Sequence, residues 1–285
     1  MKTTILSALS LLGILTCAAQ RVYLFGTGVP ERDAALYEAL QAHGLQVTQG
    51  VPYQTFDGSQ SLDGYQVAVL VGTGYPDDMP IYGQWALLDW VGGGHGLATL
   101  EWTAWSARSS NQLTVLRTLM PATYQRDTYR MRILYQQQVS DPILNQGLSA
   151  SLDLGEGHEA HLRPKLGATV YYKSDYAASA GGVIGWLYQE GRVISLSVAP
   201  AYALNPTAQN AVFRRLLTNA VQWAAQNACV PSSGDVDDNG CVDDADLLEV
   251  LFAFGATGGD ADVNCDGVVD DADLLEVLFA FGSGC

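Results

Sequence analysis

Two runs of oxygen-bearing side chains, 27 residues apart, repeat one another toward the end of this 285-residue chain. DVDDNG (235–240) precedes VDDADLLEVLFAFG (242–255), and DVNCDG (262–267) precedes the same fourteen letters (269–282). Counted from its first Asp, each loop offers side-chain oxygens at positions 1, 3, 5, 9 and 12, with glycine at 6. The first set is Asp235, Asp237, Asn239, Asp243 and Asp246; the second is Asp262, Asn264, Asp266, Asp270 and Asp273. Position 7, which ligates through its backbone carbonyl, is Cys241 or Val268. A hard cation takes about six to eight oxygens, and glycine permits the sharp turn, so the spacing predicts two bound calcium ions. An unmetallated acidic linker is the competing reading. It gives no reason for Leu247, Leu248, Leu251, Phe252 and Phe254 to follow the acids at helical spacing. That apolar stripe is expected to be covered by its twin, Leu274, Leu275, Leu278, Phe279 and Phe281.

Elsewhere the chemistry is sparser. EWTAWS (101–106) sets Glu101 beside Trp102 and Trp105, a sugar platform or else two packed rings and a helix-capping acid. GHEAH (157–161) places His158 and His161 three apart, one short of the four that a zinc helix needs. A solvated loop is the blander expectation there, with His158 or Glu159 available for acid–base work. His95, in GGGHG, lines the same cleft as Glu101 or merely makes a turn. His43 reads as a cation at a helix C-terminus. GTGVPE (26–31) lacks the third glycine of a phosphate turn and reads as structural. Candidate catalytic residues are therefore Glu101, His95, His158 and Glu159.

The net charge is −16, but its distribution decides what it means. Residues 230–285 hold fourteen acids and no base; the remainder holds sixteen acids and fourteen bases. The main body is near neutral and shows no basic face for nucleic acid. Residues 1–19 read as a secretory signal: Lys2, an apolar stretch, and small residues Cys17, Ala18 and Ala19. Lipidation at Cys17 is a lesser alternative, because Thr16 fits poorly before a lipidated cysteine. That apolar run is too short for a membrane anchor, and no other stretch could cross a bilayer. The other cysteines, Cys229, Cys241, Cys265 and Cys285, cluster in the acidic segment and suggest two disulfides. Three pairings are open; Cys229 with Cys285 would clasp the segment's two ends.

The elements that must position these groups alternate. Apolar runs at 21–25, 45–48, 65–72 and 96–101 read as strands, with helices at about 31–42 and 81–90 between them. Further strands are expected at 130–135, 169–172, 183–188 and 192–197, and a closing helix at 207–226. Interleaved helices and continuous apolar strands predict a three-layer, mostly parallel α/β sheet over residues 20–228, then a small all-α module over 229–285.

Both parts resemble known families. The tail resembles a dockerin, an EF-hand-like pair of calcium loop–helix repeats: position 12 is Asp and no helix enters either loop. That resemblance implies docking onto a cohesin-like module, with Asp244, Ala245, Asp271 and Ala272 at recognition positions. The body resembles the class I glutamine amidotransferase-like superfamily, in particular its ThuA-like branch. The likeness rests on VAVLVG (67–72), GGGHGLATLE (92–101), DPILNQGL (141–148) and GRVISLS to NAVQW (191–223). It implies a flavodoxin-like fold with functional residues beyond the carboxyl ends of the strands. The family's catalytic cysteine would fall near Glu101, but residues 20–228 contain no cysteine, which excludes a thiol glutaminase. No GxSxG elbow is present either. The expected function is an exported adaptor-tailed protein whose body is non-catalytic or carbohydrate-binding. The alternative is a secreted carbohydrate-active hydrolase using carboxylates near Glu101 and Glu159, since dockerins commonly append to polysaccharide-degrading enzymes.

Overall fold

The structure is a computed structural model describing residues 20–72, 78–109, 111–200, 206–226, 234–237, 239–256, 259–264 and 268–285. The proposed signal (1–19), most of the joint between body and tail, and Cys229, Cys265 and Asp266 lie outside the described residues. Strand β1 (Arg21–Gly26) pairs in parallel with β2 (Gln46–Pro52) on one side and β3 (Val67–Leu70) on the other. β4 (Gly96–Thr99) and β11 (Gly191–Leu196) extend the parallel run. The order β2-β1-β3-β4-β11 is the doubly wound arrangement expected of a flavodoxin-like sheet.

Alternation within these strands divides their side chains between two cores. Val22, Leu24, Val67, Val69, Ile194 and Leu196 face helices α1 (Pro30–Gln41) and α4 (Ala211–Ala224). Tyr23, Phe25, Ala68, Leu70, Leu97 and Val193 face α2 (Ile81–Gly92). Helix α4 begins where Asn210 accepts from the Val212 and Phe213 amides, at 2.9 and 3.0 Å. A short 3-10 turn at Pro206–Gln209 precedes it, so the closing helix starts later than its apolar pattern suggests.

Beyond β11 the sheet turns antiparallel, through β10 (Gly181–Tyr188), β9 (Thr169–Ser174), β6 (Leu134–Gln137) and β7 (Ser151–Asp153). β8 (Gly157–Pro164) branches from β10 and pairs with β5 (Ala122–Arg130). Two expectations change here. Residues 130–135 are not one strand, because β5 ends at Arg130 and β6 begins at Leu134. GHEAH is not a solvated loop, because it opens β8, where the β5 ladder satisfies its backbone.

In the tail, helices α5 (Asp244–Ala253) and α6 (Asp271–Ala280) pack through a small core of Val236, Val242, Val250, Ala261, Val263, Val269 and Val277. The expected stripe-on-stripe packing does not occur. Only Leu247 and Leu274 pack against that core, while Leu248, Leu251, Phe252, Phe254, Leu275, Leu278, Phe279 and Phe281 are exposed. Valines from the loops fill the space between the helices and leave the larger side chains outside.

The repeats clasp each other crosswise. The Gly255 amide donates to Val269 O at 2.8 Å and Val269 to Ala256 O at 3.0 Å. In the counterpart, Gly282 donates to Val242 O at 2.8 Å and Val242 to Ser283 O at 2.9 Å. A Cys241–Cys285 disulfide locks this second clasp, which rules out Cys229 with Cys285. Replacing both Cys241 and Cys285 by Ser is expected to cost the tail about 2–4 kcal/mol in denaturant melts. Hydrogen exchange should show Val242 and Gly282 losing protection while Val269 and Gly255 keep theirs.

Candidate functional site

The two buried glutamates of the α/β domain, Glu101 and Glu159, lie near the carboxyl ends of β4 and β11. Leu100 follows β4, and Glu101 opens α3 (Glu101–Ser109); the Glu101 amide donates to Val198 O at 3.2 Å, just past β11. Glu159 on β8 forms a bridge with the same Val198. The backbones of the two glutamates are therefore held near one another, but their side chains meet different surroundings.

Glu159 is fully buried and fully answered. Its Oε1 accepts from the Ser174 hydroxyl and, at 3.0 Å, from Ser197; its Oε2 meets Arg130 at 3.3 Å. Arg130 also holds Asp175 at 2.9 Å, and the Ser197 hydroxyl is shared with buried Tyr135 at 2.6 Å. Burial pushes Glu159 up to about 7, against the opposing pull of the two serines and Arg130.

Glu101 is fully buried, and among the described residues neither of its carboxyl oxygens has a hydrogen-bond partner. Burial, and then the charge of Asp127, push its pKa well above the usual carboxyl range. It does not cap the helix. On β5, Tyr124 donates its hydroxyl to half-exposed Asp127 at 2.8 Å; burial, that hydrogen bond and the charges of Asp127 and Glu101 push the phenol upward. The Trp102 and Trp105 rings meet edge to face at 5.6 Å, with Trp105 packed on a core of Ala104, Ala122, Tyr124, Ala160, Leu162 and Ile184.

The histidines do not join this group. His95 precedes β4 whereas Glu101 follows it, so they stand at opposite ends of the strand. The His95 ring stacks on Trp90 at 4.4 Å, with Nδ1 3.0 Å from Trp90 O. His158 neighbours Glu159 on β8, points to the opposite face and meets Tyr129 edge to face at 5.4 Å. His161 reaches the Ser179 hydroxyl at 2.9 Å. His43 does follow the end of α1, and burial, then the charges of Arg215 and Arg214, lower its pKa. The GTGVPE turn is self-contained: the Asp33 carboxylate accepts from Thr27 N and Oγ1 at 2.8 and 2.6 Å, where a phosphate would otherwise sit. Asp127 and Tyr124, in the polar run after Ala122, had no motif to mark them; only the β5–β8 pairing carries them to Glu101.

The first tail loop brings Asp235, Asp237 and Asp246 together, with one carboxylate oxygen of each within 4.8 Å of the others. Asp246 Oδ1 accepts from the Val236 and Asp237 amides at 2.6 and 3.1 Å, and its Oδ2 from Asp243 at 2.8 Å. Asp235 accepts from Asn239 and Gly240 at 3.1 and 2.9 Å. Asp243 caps α5 through the Ala245 amide, and Asp270 caps α6 through Ala272. In the second loop Asp273 accepts from Asn264 and Asp270 at 3.0 and 2.8 Å. An all-oxygen set with these backbone supports fits a hard divalent cation in the first loop.

No protein-family model matches the chain, and neither does any curated protein. Solved structures match at the level of fold. A cytoplasmic protein of Salmonella typhimurium LT2 superposes with TM-score 0.56 at 13% identity, over 72% of this chain and 99% of that one. A putative ThuA-like protein of Parabacteroides merdae gives 0.54 at 12% identity, over 75% and 94%. The β-galactosidase of Rahnella sp. R3 gives 0.52 at 14% identity, over 78% of this chain and 33% of that one. The domain is thus a doubly wound α/β unit with an antiparallel extension. Its fold is that of ThuA-like proteins.

The state of Glu159 makes stability depend on pH. The folded domain keeps its proton from about 4.5 up to about 7, a window in which the unfolded chain has released it. This stabilisation is present below the window and is lost as pH rises through it; Glu101 acts in the same direction. Thermal melts are expected to lose on the order of 3 kcal/mol across that window through Glu159. Glu159→Gln should flatten the decline.

Proposed function

We propose that the chain is an exported protein with a calcium-dependent, dockerin-like adaptor tail that carries a ThuA-like α/β domain as cargo. The convergence of Asp235, Asp237 and Asp246, in a loop that the sequence then repeats, carries this reading. Asp235, Asp237, Asn239, the Cys241 carbonyl, Asp243 and Asp246 would hold one ion. Asp262, Asn264, Asp266, the Val268 carbonyl, Asp270 and Asp273 would serve the second. Calcium neutralises acids that repel one another when crowded. Glu249 records that crowding: burial first, then Asp237, Asp246 and Asp260, raise its pKa.

The exposed residues Leu248, Leu251 and Phe252, and their twins Leu275, Leu278 and Phe279, present one apolar face twice. A cohesin-like module is the partner for which that face is suited, and the duplication allows it two orientations. The signal-like composition of residues 1–19 and the disulfide, which persists in an oxidising compartment, support the export part of this reading. Among the described residues no helix is long and apolar enough to cross a membrane.

A second reading, favoured by the unanswered carboxyl of Glu101, makes the cargo domain a carbohydrate-active hydrolase.

Calorimetric titration of the full chain with calcium is expected to show two sites. Asp237→Ala should remove one and Asn264→Ala should weaken the other. Retention on a cohesin column should be lost with chelator. A chain that takes up no calcium, or keeps the same tail amide protection with and without it, overturns the adaptor reading.

A further inference from the structure

We propose that the α/β domain binds a neutral oligosaccharide, without cleaving it, in an aromatic groove between β9, β10 and the end of α4. This goes beyond the adaptor reading and does not depend on it. The groove is a cavity of about 610 Å³, within the range of roughly 300–1,000 Å³ of small-ligand pockets. It lies at the amino ends of the parallel strands. Arg192, in its wall, pairs with Gly96 at the start of β4, whereas Glu101 follows the other end of that strand.

The space exists because β9 stops short. Its register ends with Thr169 opposite Gly185, so β9 does not continue beside Trp186 and Leu187 on β10, and Leu187 is exposed. Gly185 carries no side chain, and a Cβ there would lie 2.9 Å from the Trp223 ring and 3.2 Å from Tyr171. The two rings therefore settle against bare backbone. They meet edge to face at 5.3 Å, and the Arg192 guanidinium lies over Trp223 at 5.1 Å. Trp223 is buried, so it braces its two neighbours rather than touching a ligand. Half-buried Tyr171 and Arg192 are left as two planar groups, held in place before anything binds.

The rest of the lining sets what those planes take. A pyranose has a face of C–H bonds, which suits the negative face of a phenol ring, and a rim of hydroxyls that both donate and accept. The polar groups of the groove answer that rim. Asp141 Oδ1 accepts from the Ile143 and Leu144 amides at 2.9 and 2.8 Å, which leaves its Oδ2 to accept from a hydroxyl. Arg192 donates to Gln226 Oε1, which leaves the Gln226 amide nitrogen to donate. One acid and one base stand in the lining, so the site favours a neutral ligand. A phosphate would meet Asp141 and a guanidinium already engaged. A peptide strand does not fit either: the open edge of β10 runs only from Trp186 to Tyr188, against the roughly 5–6 residues of an ordinary strand. Glycoside cleavage needs two carboxylates flanking the bond, and the lining offers Asp141 alone, so the sugar is held and released intact.

The test titrates cellohexaose, xylohexaose, mannohexaose and maltohexaose into the full-length chain by calorimetry. At least one is expected to bind with a Kd of about 1 mM or tighter. Tyr171→Ala should weaken that binding by about tenfold or more. Tyr171 also packs on the core, so Gln226→Ala, just past α4, is the second variant. It should weaken binding by about threefold or more and leave the melting temperature unchanged. Trp85→Ala, on the exposed face of α2, should leave affinity as it was. The proposal is overturned if no hexaose binds, if neither groove variant weakens binding, or if Trp85→Ala weakens it as much as Tyr171→Ala. Cleavage of the bound hexaose that Asp141→Asn abolishes would also overturn it. None of these results bears on calcium uptake, and a chain that takes up no calcium leaves this groove standing.

Discussion

Removing a carboxylate from water costs several kcal/mol unless donors replace the lost hydration, and this chain meets that constraint in both of its parts. Glu159 is met by two hydroxyls and a guanidinium. Asp246 and Asp273, equally buried, are met by backbone amides of the loops they close, so turn and helix start are fixed by the same oxygens. Glu101 alone of these acids has no hydrogen-bond partner among the described residues. Stability and chemistry thus separate residue by residue: where the acid is satisfied it organises the fold, and where it is not the fold carries a cost.

The sheet determines where such costs can fall. β1, β3, β4 and β11 are covered on both faces by apolar layers, and the buried hydroxyls that β4 and β11 carry, Thr99 and Ser195, lie toward the carboxyl ends and meet each other at 2.6 Å. Polar side chains are pushed to the strand ends. At the carboxyl end the antiparallel branch of β5 and β8 leans across α3 and adds Tyr124, Asp127 and Glu159 to what β4 delivers. The parallel half therefore gives the position, and the antiparallel half most of the side chains.

The sequence made some of this legible and hid the rest for physical reasons. β1, β3 and β4 are short apolar runs, and their parallel pairing was expected from their alternation with helices. The repeated loops announced themselves through identical spacing of oxygens. GHEAH was obscure because two histidines, a glutamate and flanking glycine lack the alternation of a half-buried strand; β8 is held by ladder hydrogen bonds on both sides. Residues 130–135 carry enough apolar weight for a strand, yet the chain turns at Met131. The tail stripes misled differently. Helical spacing identifies an apolar face but not what covers it, and four small valines from the loops claimed the space between the helices. Asp127 had no local mark at all, because its place beside Glu101 depends on a pairing between distant strands.

The crossed clasp of the tail has a consequence for how the protein is made. The first loop leaves the ribosome long before the residues that complete it, since Cys241 must wait 44 positions for Cys285. The second loop needs only Gly255 and Ala256, which are synthesised ahead of it. Two halves that share the same fourteen-residue run therefore mature at different moments, the later one only where thiols can be oxidised.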